Sequence, residues 1–179
     1  MAVRRKMVRT YVERLLTSHR VKSAPVNVDR LAMALGAEVR REPADDELSG
    51  FLFRDPQARQ AVIGVNKKHH PNRQRFTIAH EIGHFLLHEG ERVFVDRLGS
   101  GYHVNLRNED SSKGTNQEEV EANLFAAELL MPQSFLKEDL SKSDGLDLFD
   151  EDVLKSLADK YQVSIQALTY RLANLGYIR

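Results

Sequence analysis

The chain of 179 residues has no cysteine, which excludes disulfides and thiolate metal sites and suits a reducing compartment. Any metal bound here has to be held by His, Asp or Glu. No stretch approaches the roughly 20 consecutive apolar residues of a membrane-spanning helix. The first 22 residues carry seven Lys/Arg against Glu13, and Arg9, Glu13 and Arg14 interrupt what would have to be the unbroken apolar centre of a signal peptide. A cytoplasmic protein is the expectation. Repeats and low-complexity segments are also lacking, and the length suits one domain with a real core, or a domain plus a small appendage. Net charge is zero, which weakens a nucleic-acid reading of the basic start; a solvated helix face explains it more simply. The balancing acids concentrate between Glu138 and Asp152, where seven of them face only Lys142.

What is present is the stretch His80-Glu81-Ile82-Gly83-His84. Histidines four apart on a helix lie one turn above each other, about 6 Å apart along the axis, a spacing that one zinc ion bridges. Glu81 flanks the same face three residues before His84, placed to take a proton from metal-bound water. The helix is expected to run from Pro71, a favoured first-turn residue, to Gly90, a favoured stop. Phe76, His80, Gly83, His84 and Leu87 form one face and Ile78, Ile82, Phe85 and Leu86 the other, so the helix should be buried. Buried histidines and a buried glutamate are costly unless paired or bound to metal. His88 extends the histidine row, but about 12 Å of axis separates it from His80, too far for both to reach one ion. It is read as a cap of the last turn or a neutral core histidine.

Ahead of this helix, Val8, Tyr11, Val12 and Leu15 fall at helical spacing and predict an amphipathic scaffold helix. A short helix follows, capped by Asn27 or Asp29 and ended by Gly36, with Leu31, Ala32 and Leu35 inward. Ala37 to Arg41, Gly50 to Arg54 and Ala61 to Val65 read as strands of a small, mostly antiparallel sheet. Gly50 to Arg54 or Val62 to Val65 is a candidate edge for aligning a substrate by strand addition.

A catalytic zinc needs a third protein ligand and an open position. A second largely apolar helix, Gln117 to Met131, offers Glu118, Glu119, Glu121 and Glu128. At 100° per residue Glu119 shares a face with Asn123, Ala126 and Leu130, while Glu121 and Glu128 share the opposite, expectedly wet, face. Glu118 fits a capping box with Thr115; Glu119 fits one with Asn116, which is its alternative, structural role. Asn123 is placed to hold a ligand histidine through its other ring nitrogen.

Arg73-Gln74-Arg75-Phe76-Thr77-Ile78-Ala79-His80-Glu81-Ile82-Gly83-His84 followed by Glu119-Val120-Glu121-Ala122-Asn123-Leu124-Phe125-Ala126-Ala127-Glu128-Leu129-Leu130-Met131-Pro132 closely resembles the ImmA/IrrE family of metallo-endopeptidases. The resemblance extends from Pro25 to about Ile178. It implies His80, His84 and Glu119 as metal ligands, Glu81 as general base, and an α+β fold of zincin-like, gluzincin type. It also implies zinc or manganese as cofactor, and helix-turn-helix repressors as protein substrates. Candidates for stabilising the oxyanion are Tyr102, His103 and Arg107, in the linker between the two helices, and Arg75.

The peptidase domain is expected over 1–140. Phe135, Leu136 and Leu140 predict a further short helix, and residues 150–179 a helix pair resembling helix-turn-helix packed on the domain. In its second helix Ser164 is the cap, Ile165, Leu168, Leu172 and Leu175 point inward, and Gly176 ends it. The exposed side would carry Gln166, Thr169, Tyr170 and Arg171, only one charge, which favours docking on the core or on a protein over direct DNA binding. Two functions thus stand side by side: an endopeptidase, and a transcription regulator that binds DNA or a repressor through these helices and has a purely structural metal. They part at Glu81, since a structural site has no use for a base.

Overall fold

The computed structural model describes residues 4–55, 60–88, 93–97, 112–142, 148 and 150–178, with backbone alone at 93–97 and 112–116. These residues form an α+β fold of seven helices and four strands. Helix α1 (Arg5–Ser18) buries Val8, Val12, Leu15 and Leu16, the stripe its apolar spacing demands. In α2 (Val28–Ala34) the Asn27 side chain accepts from the Arg30 amide. Gly36, at φ +87°, then turns the chain into the sheet through a conformation in which a Cβ is unfavourable.

Strands β1 (Ala37–Glu42), β2 (Leu48–Asp55), β3 (Gln60–Asn66) and β4 (Val93–Arg97) lie in the order β1-β3-β2-β4. The expected, mostly antiparallel sheet is mixed: β2 is antiparallel to β3 and β4, but β3 runs parallel to β1. The β1–β2 loop leaves room for β3 to enter between them. Asn66 shapes that loop, its Nδ2 donating to the carbonyls of Asp45 and Leu48, each at 2.9 Å. Consequently the strand-addition edges proposed at 50–54 and 62–65 are interior; β1 and β4 are the outer strands.

Helix α3 (Pro71–Leu87) starts on His70, whose side chain accepts from the Asn72 amide, with Pro71 in the first turn. It buries Thr77 through His84 without a break, as its two apolar faces require. It stops at Leu87, before Gly90, because His88 turns extended and the Arg54 guanidinium of β2 takes up the carbonyls of His84 and His88. Helix α4 (Ser112–Leu130) crosses α3 at Gly83, where a Cβ would stand 3.1 Å from the Ala122 Cα and 3.1 Å from the Phe125 Cβ. α4 begins earlier than the expected Gln117, so Thr115 and Asn116 lie within it. Neither position is therefore the helix N-cap that the two capping boxes would require.

The face of α4 carrying Glu121 and Glu128 is buried, not wet. Both carboxylates are almost inaccessible, at 0% and 2% exposure, and each has arginine partners from outside the helix. Glu121 accepts from the Arg4 amide at 3.1 Å and from the Arg4 guanidinium at 2.6 Å. Glu128 accepts from Arg171 Nη1 at 2.9 Å and Arg9 Nε at 3.1 Å. Helices α5 (Gln133–Ser141), α6 (Glu151–Tyr161) and α7 (Ile165–Asn174) complete the chain. Arg171, expected on the exposed side of α7, is buried, whereas Ile165, expected inward, is exposed. Leu168, Leu172 and Tyr161 share one apolar core with Val8, Ile78 and Phe125. The α6–α7 turn is further tied to the start of α3 by Asn72 Nδ2, which donates to the Val163 carbonyl at 3.0 Å.

Three outcomes follow from these contacts. Gly83→Ala should lower stability by about 1–3 kcal/mol, since at 3.1 Å the facing backbone of Ala122 has to move; denaturant unfolding measures it. Arg171→Met, which leaves Glu128 with only Arg9, should cost about 2–4 kcal/mol, and most of this should return in Glu128→Leu/Arg171→Met. The Arg4 hydrogen bonds, working against burial, hold the Glu121 carboxyl down from 4.5 to about 2. Because its folded pKa is depressed, its contribution is complete above pH 4.5 and is lost as pH falls toward 2. Stability curves of wild type and Glu121→Gln should run parallel above pH 5 and converge below it.

Candidate metal centre

The α3–α4 crossing brings three predicted residues into one cluster. His80 and His84 project from successive turns of α3, and Glu119 faces them from α4. The His80 and His84 Nε2 atoms are 3.0 Å apart. Glu119 lies 3.4 Å from the first and 3.1 Å from the second through its two oxygens. Ligands at about 2.0–2.1 Å around a tetrahedral zinc stand about 3.3–3.4 Å from one another. Measured to the nearer carboxylate oxygen in each case, the two nitrogens and Glu119 thus stand close to the ligand–ligand spacing of such a site.

The outer ring nitrogens set the tautomers. His80 Nδ1 donates to Asn123 Oδ1 at 3.0 Å, which leaves Nε2 with its lone pair directed at the cluster. His84 Nδ1 faces His88 Nδ1 at 3.1 Å, and the same logic holds there. Burial pushes the His84 pKa down to about 4 against the opposing pull of Glu119, so the ring is neutral at physiological pH. Burial alone would raise the Glu119 carboxyl, but the adjoining His80 and His84 rings outweigh this and hold it below the usual carboxylate range. Two neutral imidazoles and an ionised carboxylate are what a divalent cation requires of its ligands. Among the described residues His80, His84 and Glu119 form such a group, with donor atoms within 4.8 Å of one another. The histidines are closed off, but Glu119 keeps 21% exposure, so the cluster meets solvent there.

The other predicted residues divide. Glu81 is buried on α3, beside His80 in sequence. Asn123 occupies the supporting place expected of it. His88 is a buried residue at the end of α3, not a third histidine of the cluster. Arg75 donates to the Val26 carbonyl at 2.9 Å, on the scaffold side. Tyr102, His103 and Arg107 lie outside the described residues. Sequence reasoning overlooked Arg4, Arg54 and the buried state of Glu121. The seven-residue spacing of Glu121 and Glu128 signalled a shared face, but only the packing of α1 and α7 shows that the face is covered.

Comparison with known proteins agrees with this geometry. Residues 32–173 match the Peptidase_M78 model, described as the IrrE N-terminal-like domain. The chain is 34% identical over 114 residues to the radiation response metalloprotease IrrE of Deinococcus radiodurans, a match covering 62% of this chain and 30% of that protein. It is 29% identical over 130 residues to the metallopeptidase ImmA of Bacillus subtilis, covering 73% of this chain and 66% of that one. The match therefore spans less than two thirds of the length of either relative. A Mycobacterium tuberculosis transcriptional regulator shares the fold with TM-score 0.59 at 14% identity, over 94% of this chain and 46% of its own. With its histidine pair and facing glutamate gathered at one helix crossing, the chain belongs to the ImmA/IrrE family of metallopeptidases, the IrrE N-terminal-like domain family.

Proposed function

We propose that the chain is a zinc-dependent endopeptidase of zincin-like, gluzincin type that cuts a helix-turn-helix repressor in the cytoplasm. The observation that carries the peptidase reading is the convergence of His80 Nε2, His84 Nε2 and the Glu119 carboxylate. These three residues hold the metal; the donor set suits zinc and also accommodates manganese. When bound, the ion acidifies its water ligand and polarises the scissile carbonyl. Glu81 accepts a proton from the attacking water and delivers it to the leaving amine nitrogen. Its buried place on α3, immediately next to His80, supports this assignment. Asn123 keeps the His80 ring oriented throughout.

The substrate class rests on the family resemblance. In this reading the peptidase domain covers 1–140, and the helix-turn-helix-like pair of 150–179 is a docking element for protein. DNA binding loses ground because Arg171, the single charge assigned to the outer side of α7, is engaged by Glu128 inside the molecule.

The test is co-expression with a candidate helix-turn-helix repressor as substrate. Glu81→Gln should keep its metal and lose at least about 100-fold in cleavage rate. Equal cutting by both forms, or none by the wild type, defeats the reading. Elemental analysis should find about one equivalent of metal in the wild type and little in His84→Ala or Glu119→Ala. Undiminished metal in Glu119→Ala would transfer the third ligand to Glu118, since Glu121 is occupied by Arg4.

A further inference from the structure

Behind the cluster a second line of polar groups runs into the protein. His84 Nδ1 and His88 Nδ1 are 3.1 Å apart, and His88 Nε2 lies 3.4 Å from Glu121 Oε2. Glu121 is in turn fixed by Arg4 through amide and guanidinium, at 3.1 and 3.0 Å, and by Gln117 Nε2 at 3.2 Å. His84, His88 and Glu121 are all buried. Only one set of tautomers satisfies these contacts while leaving His84 Nε2 available to a cation. His84 then donates its Nδ1–H to His88 Nδ1, and His88 donates its Nε2–H to the Glu121 carboxylate. Arg54 adds a restraint from the sheet side: its guanidinium donates to the His88 carbonyl at 2.7 Å and to that of His84. The backbone that carries both rings is thereby held from a second element.

We propose that His88 and Glu121 are positioning residues, a carboxylate–histidine pair that locks the tautomer and ring orientation of His84 and makes it a better metal ligand. This rests on His84 being a ligand, as put forward above. A ligand histidine ordinarily donates its outer N–H to a carboxylate or carbonyl directly, and losing that partner typically costs about 10–100-fold in metal affinity. Here a second imidazole is interposed, and the carboxylate that completes the line is anchored to Arg4, immediately ahead of α1. His80 Nδ1 instead meets the neutral amide of Asn123, which is exposed. The two histidines of the cluster are therefore supported unequally, His84 by a buried charge and His80 by a surface amide.

The experiment uses the full chain with zinc and with cobalt. Zinc affinity, measured by competition with a chromophoric chelator, should fall about 10–100-fold in His88→Leu. Its cobalt form should show an altered visible absorption spectrum. His88→Asn, which can place an amide oxygen near the position of the lost Nδ1, should recover much of both. Zinc affinity and cobalt spectrum unchanged in His88→Leu would overturn the proposal. Should His88→Leu fail to fold, nitrogen-15 NMR of the zinc-loaded wild type decides: His84 protonated at Nδ1 and His88 at Nε2 support the proposal, and His88 protonated at Nδ1 overturns it. Failure of the wild type to bind zinc or cobalt would instead strike the underlying metal-site reading. Glu119→Ala separates the two cases, since it should lose metal whatever His88 does.

Discussion

A carboxylate in a protein interior has to be compensated, and helix α4 carries three that leave bulk water wholly or largely: Glu119, Glu121 and Glu128. Each is compensated differently. Glu128 meets Arg171 and Arg9, and Glu121 meets Arg4. Glu119 meets the two histidines of α3. The first two solutions are fixed cations of the chain itself. The third sets the carboxylate against two imidazole nitrogens, the donor set of a candidate metal site. Along this one helix, the candidate metal site is the position at which a carboxylate faces a histidine pair.

That arrangement depends on how closely α3 and α4 approach. Gly83 lies between His80 and His84 in sequence and faces Ala122 and Phe125, with no room for a side chain. Small residues at the crossing bring the backbones together, which lets a short glutamate side chain reach imidazoles on the opposite helix. The sheet supports α3 from the other side, and Arg54 holds its last carbonyls. The site is therefore built on two packed helices braced by a strand, a rigid setting for groups that have to hold sub-ångström geometry.

Much of this was legible in the sequence. The period of the apolar residues located α1, α3 and the C-terminal helices, and the 100° rule separated Glu119 from Glu121 before any packing was known. The reading that His88 stands apart from the cluster followed from axial rise alone. What escaped was everything determined by distant partners. Glu121 and Glu128 looked wet because a helix wheel shows which residues share a face, not what covers it; Arg4 and Arg171 lie more than a hundred and about forty positions away, respectively. The insertion of β3 between β1 and β2 was equally invisible, since strand composition does not say which strands pair or in which direction. The early start of α4 removed two capping boxes that were chemically sound but had no helix end to cap.

The Glu128–Arg171 pair also has a meaning in time. A ribosome delivers Glu128 well before Arg171, so during synthesis the helix that bears the third metal donor carries a carboxylate whose main counter-charge does not yet exist. Packing α4 in its final place before then would bury that charge with Arg9 alone beside it, an unfavourable state. The placement of α4, and with it of Glu119 opposite His80 and His84, is in this way tied to the last helix of the chain.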